Sequence, residues 1–395
     1  MSQIKKIVLK PKKEVSLMRR HPWIFSGAIA SKSEDLQEGE VVEILSSDNT
    51  FLAKGHFQIG SIAIRILTFE DEAIDQEFWN RRIASAYRLR QTLGLTDNHD
   101  TNVFRLVHGE GDELPGLIID FYNGTAVMQF HSIGMFLSKE QIVLALKNTL
   151  GDKLQAIYDK SSQTLPFKAQ VKAQDGYVWG TQLTNEVQEF GNTFLVDWNE
   201  GQKTGFFIDQ RENRELIKKY SGGRTVLNMF AYTGGFSVYA LRGGATVVHS
   251  VDASKKAIEM TEKNIEKNFG KSQLHESYAV DAFEFLEHID GKYDLIILDP
   301  PAFAKHNESL NNALQAYKRI NLKAIRQIRK GGILFTFSCS QVVSKDDFRR
   351  SVFAAAAQSK RKVSILHQLT QPADHPVSIY HQEGEYLKGL VLHVE

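Results

Sequence analysis

The sequence predicts a multi-domain chain: a small β-barrel over residues 1–75, a mixed α+β domain over 76–185, and an α/β domain over 186–395 with helices on both faces of a mostly parallel sheet. Three observations predict it. In the first part, short stretches alternate apolar and polar (KKIVLK, EVVEILSS, FLAKGHFQ, SIAIRILTF), with glycines and polar turns between them, as in a barrel or sandwich. In the second, a helical period over residues 77–95 precedes strand-like FRLVHGEGDELPGLIIDFYNGTAVMQFH, a helix around SKEQIVLALKNTL, and further strand-like pieces (LQAIYDKSS, YVWG, EVQEFGNTFLVDW). In the third, strand and helix alternate. TVLNMF (225–230), ATVVHSVD (245–252), LHESYAVD (274–281), YDLIILDPP (293–301) and GGILFTFSCS (331–340) each lead into a helical stretch. VSILHQL and YLKGLVLHV then close the chain with no full helix between them.

Composition narrows the class. No apolar run reaches membrane-spanning length, and the charged N-terminus MSQIKKIVLKPKKEVSLMRR lacks a signal-peptide apolar core, so a cytoplasmic protein without a membrane partner is expected. A single cysteine, Cys339, excludes an internal disulfide and a thiolate metal cluster, and no metal is expected. Net charge is only +1, but basic residues cluster locally. Lys5, Lys6, Lys10, Lys12, Lys13, Arg19 and Arg20 form one group, and Lys318, Arg319, Lys323, Arg326, Arg329 and Lys330 a second. SKRK (359–362) is a third. Such patches suit a polyanion, RNA or DNA first; solvated helix faces are the plain alternative.

The chemistry-bearing residues gather at strand ends of the third part. LNMFAYTGGFSVYALRGG (227–244) is a strand, a glycine turn and a helix. Gly234 and Gly235 let backbone approach a ligand, and the helix offers free N–H groups; the spacing is not that of a pyrophosphate loop. Asp252 ends the next strand, where an acid can accept both ribose hydroxyls, and Asp281 follows the third, where an acceptor can meet an adenine amine. Helix capping explains either acid equally well. In LDPPAF (298–303), two prolines aim the carbonyls of Asp299 and Pro300 rigidly beside Phe303, an arrangement suited to a planar substrate with an exocyclic amine. EGQKTGFFIDQRENR (200–214) offers Phe206, Phe207, Asp209, Gln210 and Arg211 as a cover for a cofactor, or as a hairpin packed on the sheet.

Cys339 leaves the fifth strand on the same edge as Asp299. A lone cysteine in an apolar strand is usually a small hydrophobe. At a strand exit flanked by Ser338 and Ser340, it is also placed for addition to C6 of a pyrimidine, which makes C5 nucleophilic enough to take a methyl group. The thiol needs help to ionise near neutrality. Asp299 can favour the adduct through N3, and the group that removes the C5 proton is not legible.

Together these stretches resemble the RlmI-type class I S-adenosylmethionine-dependent methyltransferases, which act on cytosine C5 in large-subunit rRNA. The resemblance rests on HPWIFSGAI (21–29), RLVHGEGDELPGLIID (105–120), GQKTGFFIDQR (201–211), VLNMFAYTGGFSVYA (226–240), LDPPAFAK (298–305), FSCS (337–340), DHPV (374–377) and YLKGLV (386–391), in order along the whole chain. It implies a PUA RNA-binding barrel, a central α+β domain and a catalytic Rossmann-like domain with an antiparallel last strand. It also implies S-adenosylmethionine as cofactor and ribosomal RNA as partner. By position, Cys339 takes the nucleophile's place and Asp299 the base-binding place, with Pro300 and Phe303 beside the substrate. Asn228, Phe230, Tyr232 and Gly234 take the methionine end of the cofactor, Asp252 the ribose and Asp281 the adenine, with Gln210 and Arg211 adjacent. The second cysteine of many RNA cytosine-C5 methyltransferases is missing, since Pro301 follows Pro300, as is usual in RlmI-type sequences.

Four rival readings stand against this one. A methyltransferase acting on a base nitrogen keeps the DPP turn but has no use for a thiol, and uracil C5 would use the same thiol. A non-catalytic RNA-binding assembly factor predicts eroded cofactor positions, which are intact here. A nicotinamide oxidoreductase lacks its phosphate loop and does not explain the closing strand pair. The residues leave the target nucleotide, the choice between free rRNA and an assembling subunit, and the oligomeric state open, a homodimer included.

Overall fold

The computed structural model describes residues 4–166, 171–181, 184–304 and 306–395; Lys305 of the LDPPAFAK stretch lies outside them. The chain divides into two compact units. One holds Met1–Val187, Val196–Phe206 and Ala373–Gly384, and the other Gln188–Leu195, Phe207–Pro372 and Glu385–Glu395.

The first unit contains two sheets. The alternating N-terminal stretches form strands Lys5–Leu9, Val41–Leu45, Phe51–Phe57 and Ile62–Thr68. Trp23–Phe25 and Ile29–Lys32 complete a six-stranded sheet; at three and four residues around a turn at Gly27, they are too short to show a period of two. All its neighbours are antiparallel except Lys5–Leu9 with Val41–Leu45. Ile7, Leu9, Val42, Ile44 and Ile64 fill its core, each worth roughly 1.5–3 kcal/mol of burial. A five-stranded sheet follows, in the order Gly176–Gly180, Ala156–Asp159, Thr125–Phe130, Leu117–Tyr122, Val103–His108. Helices Gln76–Thr92 and Lys139–Leu150 share its core through Phe78, Trp79, Ile83, Ile142 and Leu146, and Asp75 caps the first by accepting from Phe78 N at 3.1 Å.

The RLVHGEGDELPGLIID stretch lies in this unit as a matched set of buried charges. Arg90, fully buried, pairs with Asp112 through two nitrogens and also donates to the Asp374 carbonyl at 2.7 Å. Arg105 holds both oxygens of Asp120, and Oδ2 also accepts from Thr204 at 2.6 Å. The Asp374 carboxylate accepts from Arg105 N at 2.9 Å and lies 3.1 Å from His375 Nδ1. Gly111 sits so close to Pro376 that a Cβ would lie 1.8 Å from its carbonyl oxygen, so two distant motifs, GEGDE and DHPV, meet where only glycine fits.

The second unit is built on a seven-stranded sheet: β1 (Thr225–Met229), β2 (Val247–Asp252), β3 (His275–Ala279), β4 (Leu295–Leu298), β5 (Gly332–Ser338), β6 (Val363–Leu369) and β7 (Lys388–Val394). Their order is β3-β2-β1-β4-β5-β7-β6. The first five run parallel, and β7 runs antiparallel to both β5 and β6. Every residue of β5 is buried, which explains its unbroken apolar run. Helices α1 (Arg211–Tyr220), α2 (Gly235–Arg242), α3 (Lys255–Phe269), α4 (Ala282–Phe285), α5 (Leu310–Gln327) and α6 (Lys345–Ser359) supply the alternation. Residues 208–220 form a 3-10 turn and α1, not a hairpin.

Candidate active site

The carboxyl ends of β1, β2, β4 and β5 make one edge, and the chemistry-bearing residues fall on it in two groups. The first is backbone-dominated. Phe230, Tyr232 and Gly234 alternate at φ of 59°, 48° and 78°, so two bulky residues are held in the left-handed region as the chain leaves β1. Such conformations cost on the order of 1–3 kcal/mol each and gather at ligand sites. Gly234 begins α2, and a Cβ there would lie 2.7 Å from the Thr261 methyl. Asp252, ending β2, fixes the turn: its Oδ2 accepts from Tyr232 N and its Oδ1 from Ser254 N, both at 2.9 Å. Asn228 is fully buried and donates at 2.9 Å to Ser237 Oγ; Ser250 and His275 continue this chain beneath the edge. Asp281 caps α4, its Oδ1 accepting from Phe283 N and Glu284 N, which leaves Oδ2 to the exterior.

The second group surrounds the cysteine. Leu298 of β4 pairs with Thr336 of β5, so Asp299 and Cys339 leave adjacent strands. Cys339 Sγ, half-buried, lies 3.9 Å from the Pro300 carbonyl oxygen. Asp299 accepts from Gln210 Nε2 at 3.0 Å, and Gln210 in turn accepts from Asn213 at 2.6 Å. Gln210 therefore joins the DPP turn, while Arg211, also buried, has Glu212 at 3.6 Å. The Phe303 ring packs 4.7 Å from Tyr317 on α5. Burial pushes the Tyr317 hydroxyl up to about 12, with the charges of Cys339 and Asp299 adding to it, so it stays neutral. Aromatic rings bridge the two groups: Phe230–Phe283 at 6.5 Å and Phe283–Phe303 at 6.3 Å between centroids, with Phe207 edge-on to Tyr232 at 5.1 Å.

Three residues here escaped the sequence reading. Phe283 follows Asp281 closely, and its partner Phe303 comes from another strand end. Tyr317 looks like one more apolar position on a helical stripe. Lys388 of YLKGLV opens β7 opposite Ser338, and its amine donates to the Ser340 carbonyl at 2.6 Å.

A glycine turn with left-handed backbone, a strand-end carboxylate and an aromatic-walled edge suit a nucleoside-bearing cofactor, and comparison with known proteins says which. Residues 105–380 match the family model of S-adenosylmethionine-dependent methyltransferases, and residues 7–69 that of a PUA-like domain. A protein of Erwinia tasmaniensis named ribosomal RNA large subunit methyltransferase I is 38% identical over 98% of this chain and 99% of its own length. The chain belongs to this family. Relatives bearing the same name include one from Klebsiella pneumoniae (strain 342), 38% identical over 98% of both chains, and one from Escherichia coli O139:H28, 37% identical over 98% of this chain and 99% of the other. The fold is shared with a Streptococcus mutans protein described as a SAM-dependent methyltransferase, at a TM-score of 0.83 and 22% identity over 99% of this chain and all of the other. A methyltransferase structure in complex with SAH matches at 0.85 and 23%, with the same coverage. The cofactor of this family member is S-adenosylmethionine, and its architecture is a PUA-like N-terminal domain with a Rossmann-like methyltransferase sheet.

The basic groups separate on inspection. Lys12, Lys13, Arg19 and Arg20 are exposed. In the later groups, Lys323 pairs with Glu287 and Arg329 with Asp294, and Arg361 donates to the Ile325 and Ile328 carbonyls at the end of α5. Those cations serve the fold rather than a free polyanion face.

Proposed function

We propose that this chain transfers a methyl group to C5 of a cytosine in large-subunit ribosomal RNA, with Cys339 as nucleophile. The observation that carries the reading is the placement of the sole cysteine beside the Asp299–Pro300 turn on a neighbouring strand end. The family's name supplies rRNA as substrate class. The left-handed turn at residues 230–234, Asp252 and Asp281 are the groups that would hold S-adenosylmethionine, which supplies an electrophilic methyl when bound.

The chain's own residues do the rest. Pro300 and Phe303 position a base turned out of its stack, and Asp299, steadied by Gln210 and carrying a proton, donates to N3 while its other oxygen accepts from the exocyclic amine. The Cys339 thiolate forms a bond to C6, and the C5–C6 π pair becomes the nucleophile at C5. After methylation, loss of the C5 proton restores the double bond as the C6–S bond breaks and the thiolate leaves. Tyr317, neutral and packed against Phe303, backs that ring. The exposed basic segment of the PUA-like part would add salt-sensitive grip on RNA. With this reading go the three-part division at residues 75 and 185 and a cytoplasmic location beside ribosomes.

Nucleoside mass spectrometry of unmodified large-subunit rRNA, treated with the enzyme and deuterium-labelled S-adenosylmethionine, tests it. Label in 5-methylcytidine is the expected result. Label on a guanine or adenine nitrogen would replace C5 chemistry with nitrogen methylation, and label in 5-methyluridine would change the base.

A further inference from the structure

The thiol of Cys339 needs an activating group, and a buried amine holds the backbone carbonyl of the next residue, Ser340. Lys388 is only 4% exposed. Its backbone opens β7 opposite Ser338, and its amine donates to the carbonyl of Ser340 at 2.6 Å, so the lysine meets the chain on both sides of Cys339. No carboxylate of the described residues lies within ion-pair distance of it. Glu385, the acid in its surroundings, is bound to Lys345 at 2.6 Å. A buried ammonium without a carboxylate is costly, and a leucine or methionine would fill the space at lower cost. What the position gains from a lysine is a cation on which the charge of Cys339 acts.

We propose that Lys388 is a positioning residue for the reaction, taking the Cys339 proton and holding the resulting thiolate as an ammonium–thiolate pair. The inference rests on Cys339 being the nucleophile proposed above. The proton moves from Sγ to Nζ, and no other atom or electron changes hands. Attack on C6 consumes the thiolate pair, and elimination returns it beside the same cation. Burial brings the amine down to about 8, with the charge of Cys339 acting against that fall, so near neutral pH it can both take and keep a proton. The other groups facing this pair are Lys345, which lowers the amine further, Glu385, which raises it, Asp299 across the β4–β5 edge, and neutral Tyr317 from α5.

Because Cys339 is the only thiol in the chain, its ionisation is readable directly on the whole protein. The rate of alkylation by iodoacetamide from pH 5 to 10 reports the thiolate. Wild type should show an apparent thiol pKa at least one unit below the ~8.5 of a free thiol. Lys388→Met should raise it and slow alkylation at pH 7 several-fold; Lys388→Arg, permanently charged, should restore the low value. A wild-type thiol at or above ~8.5 overturns the proposal without any variant. So does a Lys388→Met protein that still binds S-adenosylmethionine and keeps the wild-type alkylation profile. The nucleoside analysis decides C5 chemistry separately: label on a ring nitrogen with a Lys388-dependent thiol would sink the reading and leave the pair. Label in 5-methylcytidine with a Lys388-independent thiol would do the reverse.

Discussion

The buried charges around RLVHGEGDELPGLIID and the polar groups around FSCS invite comparison, because both are dense, buried and tied to family motifs, yet they are wired oppositely. In the first, each guanidinium meets a carboxylate: Arg90 with Asp112, Arg105 with Asp120, and the Asp374 carboxylate takes a backbone N–H. In the second, Lys388 has a carbonyl and, among the described residues, no carboxylate, Cys339 lies 3.9 Å from a carbonyl, and Asp299 accepts from a neutral amide. Matched charges fix a fold. A buried cation held by a carbonyl instead of a carboxylate is what the proposed thiol activation requires. The sequence phrase most specific to the family is therefore structural, and the proposed chemistry falls to the shorter phrases.

If that contrast is right, breaking the matched set should cost stability above all. Arg90→Ala leaves Asp112 buried and uncompensated, and urea unfolding should record a loss of roughly 3–5 kcal/mol. A loss under about 1 kcal/mol would erase the distinction between the two regions. A second test uses acid. Burial, with Arg65 adding to it, lowers His56 to about 4, so between that value and the ordinary 6.5 the unfolded chain binds a proton that the folded chain refuses. Stability at this site is complete above pH 6.5 and is lost as pH falls toward 4, by on the order of 3 kcal/mol. His56→Gln should remove this share of the slope, leaving that of His131 and His275, which burial also lowers to about 4.

At the ligand edge, smaller effects on stability and larger ones on binding are expected. Asp252→Asn turns one of the two accepting oxygens, proposed to meet ribose, into a donor and weakens the hold on Tyr232 N, so calorimetry should find S-adenosylmethionine bound about tenfold more weakly, about 1.4 kcal/mol. The smallest change concerns RNA. Replacing Lys12 and Lys13 with Gln should lower rRNA affinity a few-fold and flatten its salt dependence, by roughly one unit of slope for each phosphate the lysines had neutralised. Lys323→Gln, whose amine is bound to Glu287, should leave the slope unchanged.

What the sequence shows of this site follows from distance along the chain. Strand ends are local signals, so Asp252, Asp299 and Cys339 could be placed on one edge from the alternation of strands and helices alone. The sheet order carried the same information, because five parallel strands and a closing pair admit few arrangements. Gln210 could be expected near the site but not bonded to Asp299, which stands 89 residues further on. Lys388 reaches the Ser340 carbonyl, one residue past Cys339, only because β7 inserts antiparallel between β5 and β6, and nothing within YLKGLV says which strand it will face. Charge patterning misled where side chains turn inward: the arginine of SKRK reads as part of a basic patch and instead closes the end of a helix.

The central claim is that Cys339 forms a bond to C6 of cytosine, and adduct trapping tests it most directly. The enzyme is mixed with S-adenosylmethionine and rRNA transcribed with 5-fluorocytidine, whose fluorine cannot leave as a proton does. A denaturation-resistant protein–RNA band is predicted for wild type, absent in Cys339→Ala. No band, with methyl entering ordinary rRNA equally in both proteins, would contradict the claim and return Cys339 to the packing of β5.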